Sequence, residues 1–289
     1  MPETGDRLRI KLGTSVESGS LLQKDLVMMA RKLRRHVVSM TGETGSGHPG
    51  GSLSAVEIVT ALYFKALRHN PEDPCWPDRD RFVLSKGHAA PLLYAALAEC
   101  GYFPVEDLST LRQIDSHLQG HADCTCTPGV EMSSGSLGQG LSFGIGVSLA
   151  GRLNSQEYRV FVLLGDGECD EGQVWEAAMA AAHFKLDKLV AIVDNNGQQI
   201  DGWNRDVMNL APFNKKWQAF GWRVIEVDGH DLTQLIDAFE QAKSVKGQPT
   251  VIIAHTIKGK GVSFMENNID FHGKAPTAAQ VEQAFKELE

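Results

Sequence analysis

The apolar run at residues 159–164 stops at Gly165 and is followed at once by a carboxylate, in Gly165-Asp166-Gly167-Glu168-Cys169-Asp170-Glu171-Gly172. A stretch apolar at consecutive positions reads as a strand covered on both faces, as in a parallel sheet. About thirty residues later a second such run, 189–193, stops at Asp194-Asn195-Asn196-Gly197, and the alanine-rich stretch 174–184 between them reads as a helix. That spacing is one strand-helix-strand unit. Residues 222–227 and 250–254 repeat the strand signal around a helical stretch at 232–244, and 81–84 adds a shorter apolar run. The alternation predicts an α/β fold, a parallel sheet with helices on both faces. Such sheets bind ligands at the carboxyl ends of their strands.

The first half is more helical. Apolar residues recur at helical spacing over 21–40, predicting a helix that ends in the loop 41–47; further helices are expected at 54–67 and 90–99, with a turn-rich stretch at 70–80. Residues 1–20 read as a loose tail or a packing arm, and 21–289 as a single domain with no repeat, no low-complexity linker and no clear internal boundary.

A formal net charge of −8 argues against a general role on nucleic acid, which needs clustered Lys and Arg. The one basic cluster, Arg31-Lys32-Leu33-Arg34-Arg35, reads as a solvated helix face. No apolar run approaches the roughly 20 residues that cross a membrane. The polar, acid-bearing start does not read as a signal peptide, and the odd count of five cysteines shows no disulfide framework, so the cytoplasm is the expected compartment.

Asp166 and Asn196 are expected at the carboxyl ends of successive strands, pointing into the ligand crevice. A carboxylate there would repel a diphosphate unless a divalent cation stood between them. Mg²⁺ takes octahedral oxygen coordination, commonly from one or two protein oxygens plus phosphate. Asp166, the Asn196 amide oxygen and a carbonyl at about Gln198 would suffice, with Gly167 letting the diphosphate approach the backbone. Three Gly-His pairs, at 47–48, 87–88 and 120–121, and His272 complete the candidate set. Glycine beside histidine suits a ligand that passes close to backbone while an imidazole exchanges hydrogen bonds or protons with its oxygens.

The Gly-Asp-Gly start with a distal Asn pair resembles the signature of thiamine-diphosphate enzymes. From roughly residue 21 to residue 275 the chain is similar to the N-terminal half of transketolase. The resemblance is carried further by Ser46-Gly47-His48-Pro49-Gly50-Gly51, the stretch 79–88 ending in Ser85-Lys86-Gly87-His88, and Gln119-Gly120-His121. It continues in Ser134-Gly135-Ser136-Leu137-Gly138-Gln139-Gly140, Thr256-Ile257-Lys258-Gly259-Lys260-Gly261 and Phe271-His272-Gly273.

That resemblance implies transfer of a two-carbon ketol unit from a ketose, such as a pentose phosphate, to an aldose, using thiamine diphosphate and Mg²⁺, with Ca²⁺ or Mn²⁺ as substitutes. It implies that His48 and His272 contact the sugar carbonyl and hydroxyls and shuttle protons, and that His121 contacts a donor hydroxyl. By the same resemblance His88, Lys258 and His272 hold the diphosphate, and Gly135, Ser136 and Leu137 hold the aminopyrimidine. Glu171 matches an acid that supports the interface between chains beside the cofactor. His69, His117, His183, His230 and His255 match nothing functional and read as structural. In full-length transketolases the glutamate that activates the pyrimidine lies in a second domain, for which residues up to Glu289 leave no room. The implied assembly is an α₂β₂ heterotetramer with a pyrimidine-domain partner chain.

Three alternatives share parts of this pattern. The α-type chain of a 2-oxo-acid dehydrogenase has the metal motif but is not expected to carry the loops of His48, His88 and His121. Deoxyxylulose-phosphate synthase resembles the first half but continues into further domains. A zinc scaffold on His121-Ala122-Asp123-Cys124-Thr125-Cys126 falls short of the paired Cys-x₂₋₄-Cys spacing of structural sites.

Overall fold

The computed structural model describes residues 19–289, with side chains from Gln23 onward, so most of the expected tail at 1–20 lies outside the described residues. Five strands form the expected parallel sheet: β1 (Arg81–Leu84), β2 (Val160–Gly165), β3 (Leu189–Asn195), β4 (Arg223–Asp228) and β5 (Thr250–His255). Their order is β1-β2-β3-β5-β4, with every pairing parallel.

Strand periodicity divides the interior into two layers. Phe161 and Leu163, Val190 and Ile192, and Ile252 and Ala254 face one side, against α1 (Gly19–Thr44), α3 (Val56–Ala61), α4 (Ala90–Cys100) and α8 (Leu232–Ser244). Val160, Val162 and Leu164, Ala191 and Val193, and Val251 and Ile253 face the other, against α5 (Gln139–Leu153), α6 (Gly172–His183) and α7 (Phe213–Ala219). Burial on both faces is what consecutive apolar residues require.

Several expectations need correction. The first helix continues through most of the expected loop, to Thr44. The helix expected at 54–67 is broken into α2 (Pro49–Leu53), α3 and a π turn over Leu62–Ala66. The break falls at Ser54, whose hydroxyl is committed to the Asp194 carboxylate under the sheet edge. Helix α5 has no counterpart among the expected elements. The basic cluster is a solvated face only at Arg31 and Lys32, which are exposed. Arg34 is buried and pairs with Glu57 at 2.6 Å, while Arg35 lies 4.4 Å over the Phe285 ring. Together they fasten α1 to α3 and to the last helix, α9 (Ala278–Glu287).

The sheet therefore delivers four loops to one edge: Ser85-Lys86-Gly87-His88 after β1, Asp166 after β2, Asn196 and Gln198 after β3, and Thr256 to Lys258 after β5.

Candidate active site

Asp166 and Asn196 meet at that edge. Asp166 accepts hydrogen bonds from the backbone amides of Gly167 at 2.9 Å and Gly197 at 2.5 Å. Burial, with the Asp194 charge behind it, raises its pKa to about 6. No cationic side chain pairs with it among the described residues. The Asn196 amide oxygen accepts only from Gln198 N at 3.0 Å, and the Gln198 Oε1 atom is buried with no partner. A desolvated carboxylate beside an amide oxygen offers oxygen donors of the kind Mg²⁺ takes, and the orphaned Gln198 oxygen is a further acceptor in the same loop. The main-chain carbonyl of Gln198, the expected third donor, also lies 3.5 Å from Lys258 Nζ. At Gly167 a Cβ would stand 2.7 Å from Gln199 Cβ, so the chain itself also approaches this glycine closely.

Behind Asp166 sits a latch that sequence reasoning missed. Lys86 Nζ pairs with Asp194, both side chains being inaccessible, and donates to the Gly51 carbonyl at 2.8 Å. Ser54 and Thr256 also donate to Asp194, and Asn196 Nδ2 does so at 3.3 Å. Burial opposes the Asp194 charge, but Lys86 and the two hydroxyls outweigh it and hold the carboxyl below its usual range. Lys86 and Asp194 are 108 residues apart, so no local pattern announces the pair.

Four histidines gather beside the donor set. The His48 ring lies 5.5 Å from His88, 5.7 Å from His121 and 5.7 Å from His272, and His88 and His272 stack at 5.1 Å. Burial first, then neighbouring positive groups, lower His48 to about 4 and His272 to about 3. The same causes lower His88 strongly and His121 less. The cluster is therefore uncharged at neutral pH and free to offer both a donor and an acceptor. Lys258 is buried, lies 2.9 Å from His272 Nδ1, and is lowered to about 8, first by burial and then by Lys86.

The loop carrying Gly135, Ser136 and Leu137 runs beside the cluster. Gly135 has a φ of +146°, and a Cβ on it would stand 3.3 Å from the His121 ring. Ser136 is exposed and Leu137 half-buried. Glu168, not singled out from sequence, ties this loop to β2 by accepting from Gly138 N and Gly165 N, both at 2.9 Å. Glu171 is exposed at the start of α6, packed under Gly138. Among the histidines expected to be structural, His230 accepts from Ile257 N at 2.8 Å and meets Glu57 at 3.0 Å, which anchors the loop before Lys258. Cys124 and Cys126 are exposed, and no group of three His, Cys, Asp or Glu side chains among the described residues is arranged to hold a metal.

A parallel sheet whose edge combines an oxygen donor set, a buried lysine and neutral imidazoles defines a diphosphate-cofactor domain. Residues 23–288 match the family model described as transketolase, thiamine diphosphate binding domain, and the chain belongs to the transketolase family. The 6-deoxy-6-sulfo-D-fructose transketolase subunit SqwG of Clostridium sp. (strain MSTE9) is 46% identical, over 92% of this chain and 97% of that protein. One subunit of the apulose-4-phosphate transketolase of Actinobacillus succinogenes is 42% identical, over 93% of this chain and 98% of that one. The crystal structure of transketolase from Campylobacter jejuni superposes with a TM-score of 0.87 at 33% identity, over 94% of this chain but 43% of that one. The chain thus spans about two fifths of the single-chain transketolases whose fold it shares and nearly the whole of the relatives named as subunits.

Proposed function

We propose that this chain is the thiamine-diphosphate-binding subunit of a two-chain transketolase, moving a two-carbon ketol unit from a ketose to an aldose. The observation that carries the reading is the convergence of four neutral histidines, Lys258 and the Asp166, Asn196 and Gln198 oxygens at one edge of the sheet. Residues 21–289 act as one diphosphate-binding domain.

In this reading Asp166, Asn196 and Gln198 would hold Mg²⁺, whose charge would offset that of the diphosphate. Lys258 and His88 bind diphosphate oxygens, with His272 beside them. Gly135, Ser136 and Leu137 carry the aminopyrimidine, with Gly167 and Glu171 nearby. The bound cofactor supplies the carbon on which the two-carbon unit travels. The chain orients the sugar and moves protons at its oxygens. With Lys258 against Nδ1 of His272, that ring is left with Nε2 for the sugar. His48 and His121, kept neutral, exchange hydrogen bonds with the carbonyl and hydroxyls.

The partner is a pyrimidine-domain chain, giving an α₂β₂ assembly in the cytoplasm, and sugar phosphates are the leading substrates. The similarity to a sulfofructose enzyme makes a sulfonated ketose the second class to assay. The test is ketol transfer with thiamine diphosphate and Mg²⁺, using the chain alone and mixed with the roughly 300-residue product of an adjacent reading frame. Transfer is expected only in the mixture. Activity of this chain alone would overturn the division of labour.

A further inference from the structure

Arg112 belongs neither to the oxygen donor set nor to the histidine cluster, yet the fold goes to some length to hold it. Its backbone is in the left-handed region, at φ +60°, which is costly for a residue with a side chain. Its amide donates to the Leu118 carbonyl at 2.9 Å, closing the loop that leads to His121. The guanidinium then lies across Gly120, where a Cβ would come within 3.0 Å of both Cζ and Nε. A larger residue at 120 would push the guanidinium aside by a few tenths of an ångström.

Half-buried, the guanidinium has no carboxylate within ion-pair distance among the described residues. Its partners are all neutral: Ser46 Oγ at 2.8 Å, the Gly120 carbonyl at 3.3 Å and His48 Nδ1 at 3.5 Å. A guanidinium held in a left-handed loop with only neutral side-chain and backbone partners among the described residues is placed where it can act on His48.

We propose that Arg112 is a positioning residue that fixes His48 as the Nε2–H tautomer, so that His48 presents a hydrogen-bond donor to the substrate oxygen. A guanidinium has only donors. The imidazole nitrogen turned toward it must therefore offer its lone pair, and the ring's one proton goes to Nε2. That atom has no hydrogen-bond partner among the described residues and is not sealed from solvent. His88, His121, His272 and Lys258 are the other titratable groups around His48, and none of them hydrogen-bonds to its ring among the described residues. Arg112 thus has the decisive voice on the tautomer. It also ties the loop of Ser46-Gly47-His48 to the loop of Gly120-His121, setting the two sugar-facing imidazoles at one spacing. The substrate-side role rests on the transketolase reading, but the tautomer does not.

The test is a long-range ¹H–¹⁵N spectrum of the full chain carrying ¹⁵N-histidine at pH 7.5, with His48 assigned from H48N. Two other rings calibrate it. His230 takes the Nδ1–H form, because its Nε2 accepts from Ile257 N, and His69 takes the Nε2–H form, because its Nε2 faces the Tyr63 carbonyl at 2.8 Å. His48 is expected to match His69. In R112M its pattern should shift toward that of His230 while those two rings keep theirs, which also certifies the fold, and R112K should recover part of the original pattern. With the partner chain present, R112M should lower kcat by about tenfold or more and leave the apparent affinity for thiamine diphosphate within about twofold. A His48 already in the Nδ1–H form, or one unmoved in R112M, overturns the proposal. If the tautomer shifts as expected but no ketol transfer is found in the mixture, the transketolase reading fails and the positioning contact stands.

Discussion

Lys86 and Lys258 lie at the same edge of the sheet, both buried, and their surroundings treat them in opposite ways. Lys86 is neutralised on the spot by Asp194, a carboxylate that two hydroxyls and an amide also serve. Among the described residues Lys258 meets only a carbonyl and a neutral imidazole, and it is lowered to about 8. Asp166 is the matching anion, raised to about 6 by burial and by Asp194. One buried charge is thus paired fully, while Lys258 and Asp166 have no ion-pair partner among the described residues; the first serves architecture, and we take the other two as the binding groups of the proposed function. In the proposed function, a diphosphate with Mg²⁺ would supply both counter-charges.

The contrast can be broken at either end. The largest effect is expected at the latch. Asp194→Ala leaves Lys86 charged and unpaired in the interior, and breaking a buried pair from one side costs about 3–5 kcal/mol. Urea unfolding of the cofactor-free chain measures it, and a loss under about 1 kcal/mol would show that the pair is not architectural. His48→Ala should cost about 10²–10⁴ in kcat in the two-chain mixture with cofactor affinity unchanged; loss of cofactor instead would move His48 to the diphosphate side.

Asp166→Asn should change how stability depends on pH. An acid whose folded pKa is raised contributes its stability below the unfolded value of about 4, and that contribution is lost as pH rises through about 6. Asparagine carries a fixed cost at every pH, because its Nδ2 would face a backbone N–H that the carboxylate now accepts from. Against that constant offset, urea unfolding should show the parent losing about 2–3 kcal/mol relative to the variant between pH 4 and pH 8. A difference that does not change with pH would mean that Asp166 is already compensated. The smallest effect belongs to Lys258→Met, expected to weaken diphosphate affinity about tenfold at pH 7. Because Lys258 is lowered to about 8, the parent's advantage should shrink as pH rises beyond that value, which a titration series would read.

Much of this was legible in the sequence for a plain reason. Strands buried on both faces must be apolar at every position, so 160–164 and 189–193 announced themselves, and the polar residues that follow them are where the candidate site begins. Helix α5 was hidden because its glycines argue against a helix. Gly144 and Gly140 are required instead by close packing, where a Cβ would stand 2.7 Å from Val162 and 2.4 Å from Ser85. The partners of His48 and Asp194 were hidden as well, because Arg112 and Lys86 reach them across 64 and 108 residues. Sequence pattern reports which residues end a strand; only the folded chain reports which of their charges are paired.

The central claim is that the unpaired charges at this edge await Mg²⁺ and a diphosphate. Calorimetric titration of thiamine diphosphate into the chain mixed with its partner, with and without Mg²⁺, for the parent and for Asp166→Asn, tests it most directly. Binding that requires Mg²⁺ and weakens by about a hundredfold or more in the variant is the expected result. Binding of equal strength in the variant, or binding indifferent to Mg²⁺, would contradict it.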